Sequence, residues 1–222
     1  MRLGVLIVLL AFLVSTASAE DLGSAVTGEA KTAFLTTWSE RLRSMRSLHM
    51  RFRQEKHLRV LRQALVAQGE LWLRGETLLY ILTNSAGTTE LMVRLDKQTV
   101  QTYYPLLHTL EVMALQTTGA SPLAFPFWSP EPEALARDYE VGLFLDATGL
   151  HTLRLVPRDA RGPVQETHLV LRDFQPQAFV QVEKNGTRVR LQITAFTINP
   201  EVSEAQLALH VPAGTKVVQP LK

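Results

Sequence analysis

The side chains able to do chemistry in this chain are scattered. Six histidines, His49, His57, His108, His151, His168 and His210, lie far apart along 222 residues. None forms an HxH or HExxH pair, and the cysteine count is 0, so zinc-binding spacing is missing. No Gly-x-Ser-x-Gly marks a nucleophile, and Ser121-Pro122 stands in no triad context. Glycine-rich phosphate loops are absent too. Two carboxylate pairs come close together. Glu131/Glu133 reads as first-turn helix charge, favourable at the positive end of the dipole. Asp138/Glu140 straddles a helix-to-strand boundary. Asn185-Gly186-Thr187 fits a glycosylation sequon, yet Asn-Gly is also the strongest short hairpin signal, which explains it fully. The expectation is a protein that is not an enzyme and uses no cofactor and no metal.

Charge points the same way. The formal net charge is +2, which is no nucleic-acid footprint. The one basic cluster is Arg41, Arg43, Arg46, Arg51, Arg53 and Lys56. Charges at this spacing solvate a helix or strand face; contact with a membrane surface or an anionic partner is the lesser reading.

Residues 1–19 read as a signal peptide rather than as fold. Arg2 precedes an unbroken apolar run over 3–14, and Ala17-x-Ala19 has the small-residue spacing of a cleavage site. The run is short of the roughly 20 apolar residues that span a bilayer. Cleavage after Ala19 would leave a single exported, soluble domain over 20–222. With no Cys after the signal it cannot be acylated there, and a thiol-free chain suits an oxidising compartment. In a bacterium that compartment is the periplasm.

The elements follow from periodicity. Residues 21–30 are small and polar, a loose arm. From Glu29 to Leu48 the period is helical, with Phe34, Leu35, Trp38, Leu42 and Met45 on one stripe. After Leu48 the period becomes two. Strands are expected at 49–56, 64–74, 78–83, 90–95, 100–104 and 108–115. A helix capped by Ser129, with Pro130 in its first turn, should run to about Asp138. Strands resume at 140–145, 150–156, 164–172, 178–183, 187–198 and 207–211. The predicted fold is mainly β (α+β): one curved antiparallel half-barrel of about eleven strands with a helical lid.

Such a sheet has more inner surface than a few helical turns fill, and ligand cavities arise in such mouths. The cavity candidates are Leu71, Leu73, Leu79, Ile81, Leu91, Val93, Tyr103 and Leu106. The lid candidates are Phe125, Phe127 and Trp128, in a short run interrupted by Pro126.

Several ordered motifs resemble the LolA family of periplasmic outer-membrane lipoprotein carriers. They are Phe52-x-Gln54-x-Lys56, then Gly69-Glu70-Leu71-Trp72-Leu73-Arg74 with Leu78-Leu79-Tyr80, then Tyr103-Tyr104-Pro105. Leu153-Arg154-Leu155-Val156-Pro157 follows, and then Asn185-Gly186, Phe196-x-Ile198-Asn199 and Val211-Pro212-Ala213-Gly214-Thr215. The resemblance implies a half-open barrel whose helical lid covers an apolar cavity. It further implies an acylated lipoprotein or other lipid as cargo, an inner-membrane donor, an outer-membrane receptor and a monomeric shuttle. The same half-barrel serves as a sensing domain in envelope stress regulators, which makes a sensor or scaffold acting through protein contacts the alternative. One departure stands out. Family carriers hold the lid closed with an Arg-Pro after the Gly-x-Leu-Trp strand. Here those positions read Gly75-Glu76, and Arg74, the candidate latch, comes one residue early. A one-residue shift on a strand turns a side chain to the other face. This favours a divergent carrier of another acylated or lipid molecule.

Overall fold

A computed structural model describes residues 22–115 and 132–219. Among these, the sequence builds one curved, unclosed sheet of thirteen strands with two α-helices. The first strand, β1 (Ser24–Ala25), precedes α1 (Gly28–Arg43). Then come β2 (Ser47–His57), β3 (Leu65–Arg74), β4 (Thr77–Asn84), β5 (Thr89–Leu95), β6 (Thr99–Tyr104) and β7 (Thr109–Ala114). After α2 (Pro132–Asp138) follow β8 (Tyr139–Leu145), β9 (His151–Pro157), β10 (Val164–Arg172), β11 (Gln175–Glu183) and β12 (Arg188–Ile198). The last strand is β13 (Lys216–Val218). Sheet order is β1-β8-β9-β10-β11-β12-β2-β3-β4-β5-β6-β7-β13. All neighbours are antiparallel except β13, which runs parallel to β7.

Hairpins generate most of this order, and their turns use local chemistry. Asn84, Asp96 and Asp146 each open a turn by accepting two backbone N–H bonds through one side-chain oxygen. Three pairings are non-local: β1 with β8, β13 with β7, and β12 with β2, the last of which closes the middle of the sheet. The eleven strands β2 to β12 agree with the expected count. Three local readings need correction, the first being the helix expected to reach Leu48, which ends at Arg43 because Ser47 already opens β2. The arm at 21–30 contains β1, which pairs with β8. The expected strand at 207–211 does not form: a 3-10 turn (Ala205–Leu207) leads into extended chain, and Leu207 and Leu209 pack on the sheet instead of pairing with an edge.

The pleat sends alternate side chains to two faces. α1 and α2 lie on one face, which carries two adjoining cores. One gathers Leu48, Met50, Phe52, Leu71, Leu78, Tyr80, Val93 and Phe179. The other gathers Phe34 and Trp38 of α1, Leu135 of α2, and Leu143, Leu153, Leu169 and Leu171. The opposite face carries a smaller cluster, in which Val202, Leu207 and Leu209 of the C-terminal segment pack on Trp72, Leu79 and Ile81.

Gly69 shows how tightly the first core is closed. It stands opposite Phe52 in the β2–β3 register, and a Cβ there would lie 2.0 Å from the Phe52 ring. Only glycine leaves room for that ring, which is 2% exposed and stacks on Tyr80 at 5.6 Å.

Candidate functional site

The apolar stripe on α1 needs a partner, and the sheet supplies it at the seam between the two cores. Trp38 and Leu42 of α1, and Met45 just past its end, face Leu48 and Met50 of β2, Leu169 and Leu171 of β10, Phe179 of β11, and Ile193 and Phe196 of β12. The seam is not completely filled. A cavity of about 80 Å³ remains there, lined mostly by apolar side chains, with Arg41 and Gln175 among them.

A β-bulge shapes this wall. Ile193 pairs with Phe52, but the register slips between Ile193 and Ala195, so Phe196 pairs with Met50 and Ile198 with Leu48. In a regular strand, residues 193 and 196 point to opposite faces. The extra residue brings both to the helix-covered face.

The mouth of the cavity is closed by the β10–β11 turn. Asp173 and Phe174 take positive φ angles of 50° and 65°, a conformation costly for residues with a Cβ. That geometry folds the Phe174 ring back over α1. It stacks on Phe34 at 4.8 Å, and Phe34 stacks in turn on His151 at 4.5 Å. The Arg41 guanidinium lies over the Phe174 ring at 4.6 Å and donates to the Asp173 carbonyl at 3.2 Å. Lys31 donates to the Val141 carbonyl at 2.5 Å, tying the other half of α1 to β8. At the α1–β2 junction, Asn199 accepts from the Arg46 and Ser47 N–H groups at 2.7 and 3.3 Å and donates to the Ser44 carbonyl. Of the 16 residues of α1, Phe34, Trp38 and Ser39 are buried.

Among the described residues, Arg41 is the charged side chain on the cavity wall. The polar pair on the same face is Tyr80, whose hydroxyl donates to Gln54 Oε1 at 3.4 Å, and burial pushes the tyrosine pKa up. Among the described residues, no group of His, Asp and Glu is placed to hold a metal ion. No helix there is long and apolar enough to cross a membrane.

The structure separates the cavity candidates read from the sequence. Leu71 and Val93 are buried in the first core, with Leu73 and Leu91 packed against it. All four share the helix-covered face, but they form packed interior beside the cavity rather than its wall. Leu79 and Ile81 lie on the opposite face, under the C-terminal segment, because Leu78 and Tyr80 take the inward positions of β4. The register stacks Tyr103 beside Met92 and Ile81, on that same far face. Leu106 sits in a 3-10 turn (Pro105–Leu107) at the sheet rim and is 66% exposed. Phe125, Phe127 and Trp128 lie outside the described residues.

Arg74 also turns away from α1. Its guanidinium donates to the Val202 carbonyl at 2.7 Å and pairs with Glu204, pinning the C-terminal segment to the far face. The one-residue shift in the sequence has the consequence its geometry demands: this arginine latches a different element. A tie on the C-terminal half of α1 comes instead from Arg41 with the Asp173-Phe174 turn. Its sequence signal was slight, an aromatic directly after Asp173 where a hairpin turn would normally carry glycine.

Residues 43–208 match the family model for Outer membrane lipoprotein carrier protein LolA. A curated relative is the outer-membrane lipoprotein carrier protein of Bordetella avium, 27% identical over 131 residues. That match covers 59% of this chain and 61% of the relative, so the chain spans less than two thirds of the relative's length. Among solved structures, an uncharacterised conserved protein of Thermus thermophilus is similar with a TM-score of 0.50 and 16% identity, over 85% of this chain and 99% of that one. A chain of the Pseudomonas aeruginosa MucA/MucB complex is similar with a TM-score of 0.43 and 19% identity, over 80% of this chain and 61% of that one.

Proposed function

The chain belongs to the LolA family of outer-membrane lipoprotein carrier proteins, and from that premise we propose that it is an exported periplasmic carrier that shelters acyl chains between α1 and the sheet. It acts by binding and not by catalysis. The supporting observation is the mostly apolar cavity at the seam of the two cores, roofed by a helix with three buried residues.

The volume sets the mechanism. Sites for small ligands usually measure about 300–1,000 Å³. A space of about 80 Å³ takes only the end of an acyl chain, so uptake requires α1 to lift from β10–β12. Each methylene moved out of water gains about 0.8 kcal/mol. Opening the roof breaks the Phe174 stack and exposes Trp38 and Leu42, which offsets part of that gain. That partial offset weakens the grip on the acyl chain and favours release, as a carrier requires, since it must both compete with a bilayer and let go. An acylated lipoprotein fits this site, as does any other molecule with a free acyl chain. An inner-membrane donor and an outer-membrane receptor complete the route.

Native mass spectrometry of the protein purified from its own envelope tests this reading. A copurifying acyl species, displaced by added palmitate, is expected. Clean apo protein that ignores palmitate and instead captures one envelope protein would replace the carrier with a sensor or scaffold acting through protein contacts.

A further inference from the structure

The strand registers place the β2–β3 hairpin tip (58–64) and the β6–β7 turn (105–108) at the same end of the sheet. That rim carries the three most exposed large aliphatic side chains described, with Leu61 beside them. Val60 is 88% exposed, Leu107 71%, Leu106 66% and Leu61 45%. They are not core residues that failed to pack: the tip is a defined turn, closed by the Leu61 N–H donating to the Leu58 carbonyl at 2.9 Å. Isolated exposed aliphatics are ordinary; several gathered on one rim mark a contact surface.

The charge pattern says what the contact is. From Lys56 to Gly69 the chain has no Asp or Glu, while Lys56, Arg59 and Arg62 bracket Val60 and Leu61. Among the described residues neither Arg59 nor Arg62 makes an ion pair, unlike Arg53, which is held by Glu55. The Arg59 stem rests 3.7 Å from the position of a Cβ on Gly186, in the neighbouring β11–β12 turn, so the residue is braced at the rim. Arginines around exposed aliphatics, with no carboxylate in the loop, complement an anionic lipid surface. The aliphatics enter the headgroup region and the guanidinium groups meet phosphates.

We propose that this rim docks on anionic phospholipid membranes, led by the 58–62 tip. The contact is separate from whatever the cavity holds. It orients the chain with one end of the sheet toward the bilayer and leaves the Arg41–Phe174 latch, at the opposite end of β10 and β11, facing away from it. A carrier of membrane-derived cargo gains dwell time at the leaflet from such a contact.

Flotation of the chain from Glu20 onward with phosphatidylglycerol/phosphatidylethanolamine vesicles, against phosphatidylcholine vesicles, tests this. Both kinds of vesicle offer the same acyl chains, so a preference for the anionic ones reports on the rim and not on the cavity. Binding to anionic vesicles is expected, with partition falling about fivefold per arginine removed, hence about 25-fold for Arg59→Gln with Arg62→Gln. Val60→Asp with Leu61→Asp should abolish it. All four positions are exposed, so the variants should fold, which circular dichroism checks. Raising salt toward 1 M shortens screening to about 3 Å and should release the wild-type chain, an arm that needs no variant. Equal partition on neutral vesicles, no partition on anionic ones, or folded variants that bind like wild type would overturn the proposal.

Discussion

Replacing Phe174 by alanine removes the ring that closes the cavity over α1. The size of the effect can be worked from its contacts. Phe174 is half-buried, so truncation forfeits roughly half of the 1.5–3 kcal/mol gained by fully burying such a side chain, or about 1 kcal/mol. The stack on Phe34 at 4.8 Å adds about 0.5–1.5 kcal/mol. The Arg41 contact at 4.6 Å adds about 0.5–1 kcal/mol at an exposed site. The combined loss is about 2–3.5 kcal/mol, which in a chain of this size lowers Tm by about 4–14 °C. The backbone offers an internal control. At φ 65° a residue with a Cβ is strained, so Phe174→Gly should be more stable than Phe174→Ala by about 0.5–1 kcal/mol, although it removes one more carbon. Urea unfolding gives the energies, and amide hydrogen exchange shows where they act. Protection should fall in α1, with β3–β5 unchanged. If Phe174→Ala costs under about 0.5 kcal/mol, or if α1 keeps its full protection, the turn is not the latch and the argument for a roof that lifts fails.

Three further outcomes follow from the same packing. Gly69→Ala forces a methyl into the Phe52 ring and should destabilise by about 1–3 kcal/mol, read by urea unfolding; Gly69→Ala with Phe52→Leu should recover part of that loss. Asn199→Ala strips a shared acceptor from the Arg46 and Ser47 N–H groups and should cost about 1–3 kcal/mol by the same assay, with increased hydrogen exchange at residues 44–48. For Asp96, partial burial raises the carboxyl pKa, but the Gln98 and Thr99 N–H groups and the Arg94 guanidinium outweigh it and hold the value to about 2. A carboxyl held low in the folded state contributes stability above its ordinary pKa of about 4 and loses it as pH falls toward 2. Wild type should therefore lose stability over that window more steeply than Asp96→Asn, measured by urea midpoints at each pH.

The architecture was readable because its signals are local. Alternation placed eleven strands, and Asn84, Asp96, Asp146 and Asn185 each announced a turn that the chain then makes. The α1 stripe was legible for the same reason: Phe34 and Trp38 repeat at the helical period and are the residues that α1 buries most deeply among its apolar ones. The site was less legible because its position depends on non-local facts. Which half of the sheet α1 covers follows from the β12–β2 pairing, between residues about 140 apart in sequence. The bulge after Ile193 reverses the face of Phe196 and Ile198, so strict alternation assigns them wrongly. The face of Leu79 and Ile81 was ambiguous because β4 reads Leu78-Leu79-Tyr80-Ile81, apolar on both sides. Two-sided apolar strands occur where both faces are covered, and here the C-terminal segment supplies the second cover. The Arg74 shift, in contrast, could be read from the strand period alone.

Photo-crosslinking with a diazirine-bearing palmitoyl probe, followed by peptide mapping, is the most direct measurement of where an acyl chain goes. The account predicts adducts on Leu42, Met45, Ile193 and Phe196, competed by unlabelled palmitate and weakened when Ile193→Asp introduces a charge into the wall. Adducts confined to Leu79, Ile81 and the C-terminal segment, or labelling that unlabelled palmitate does not reduce, would contradict it.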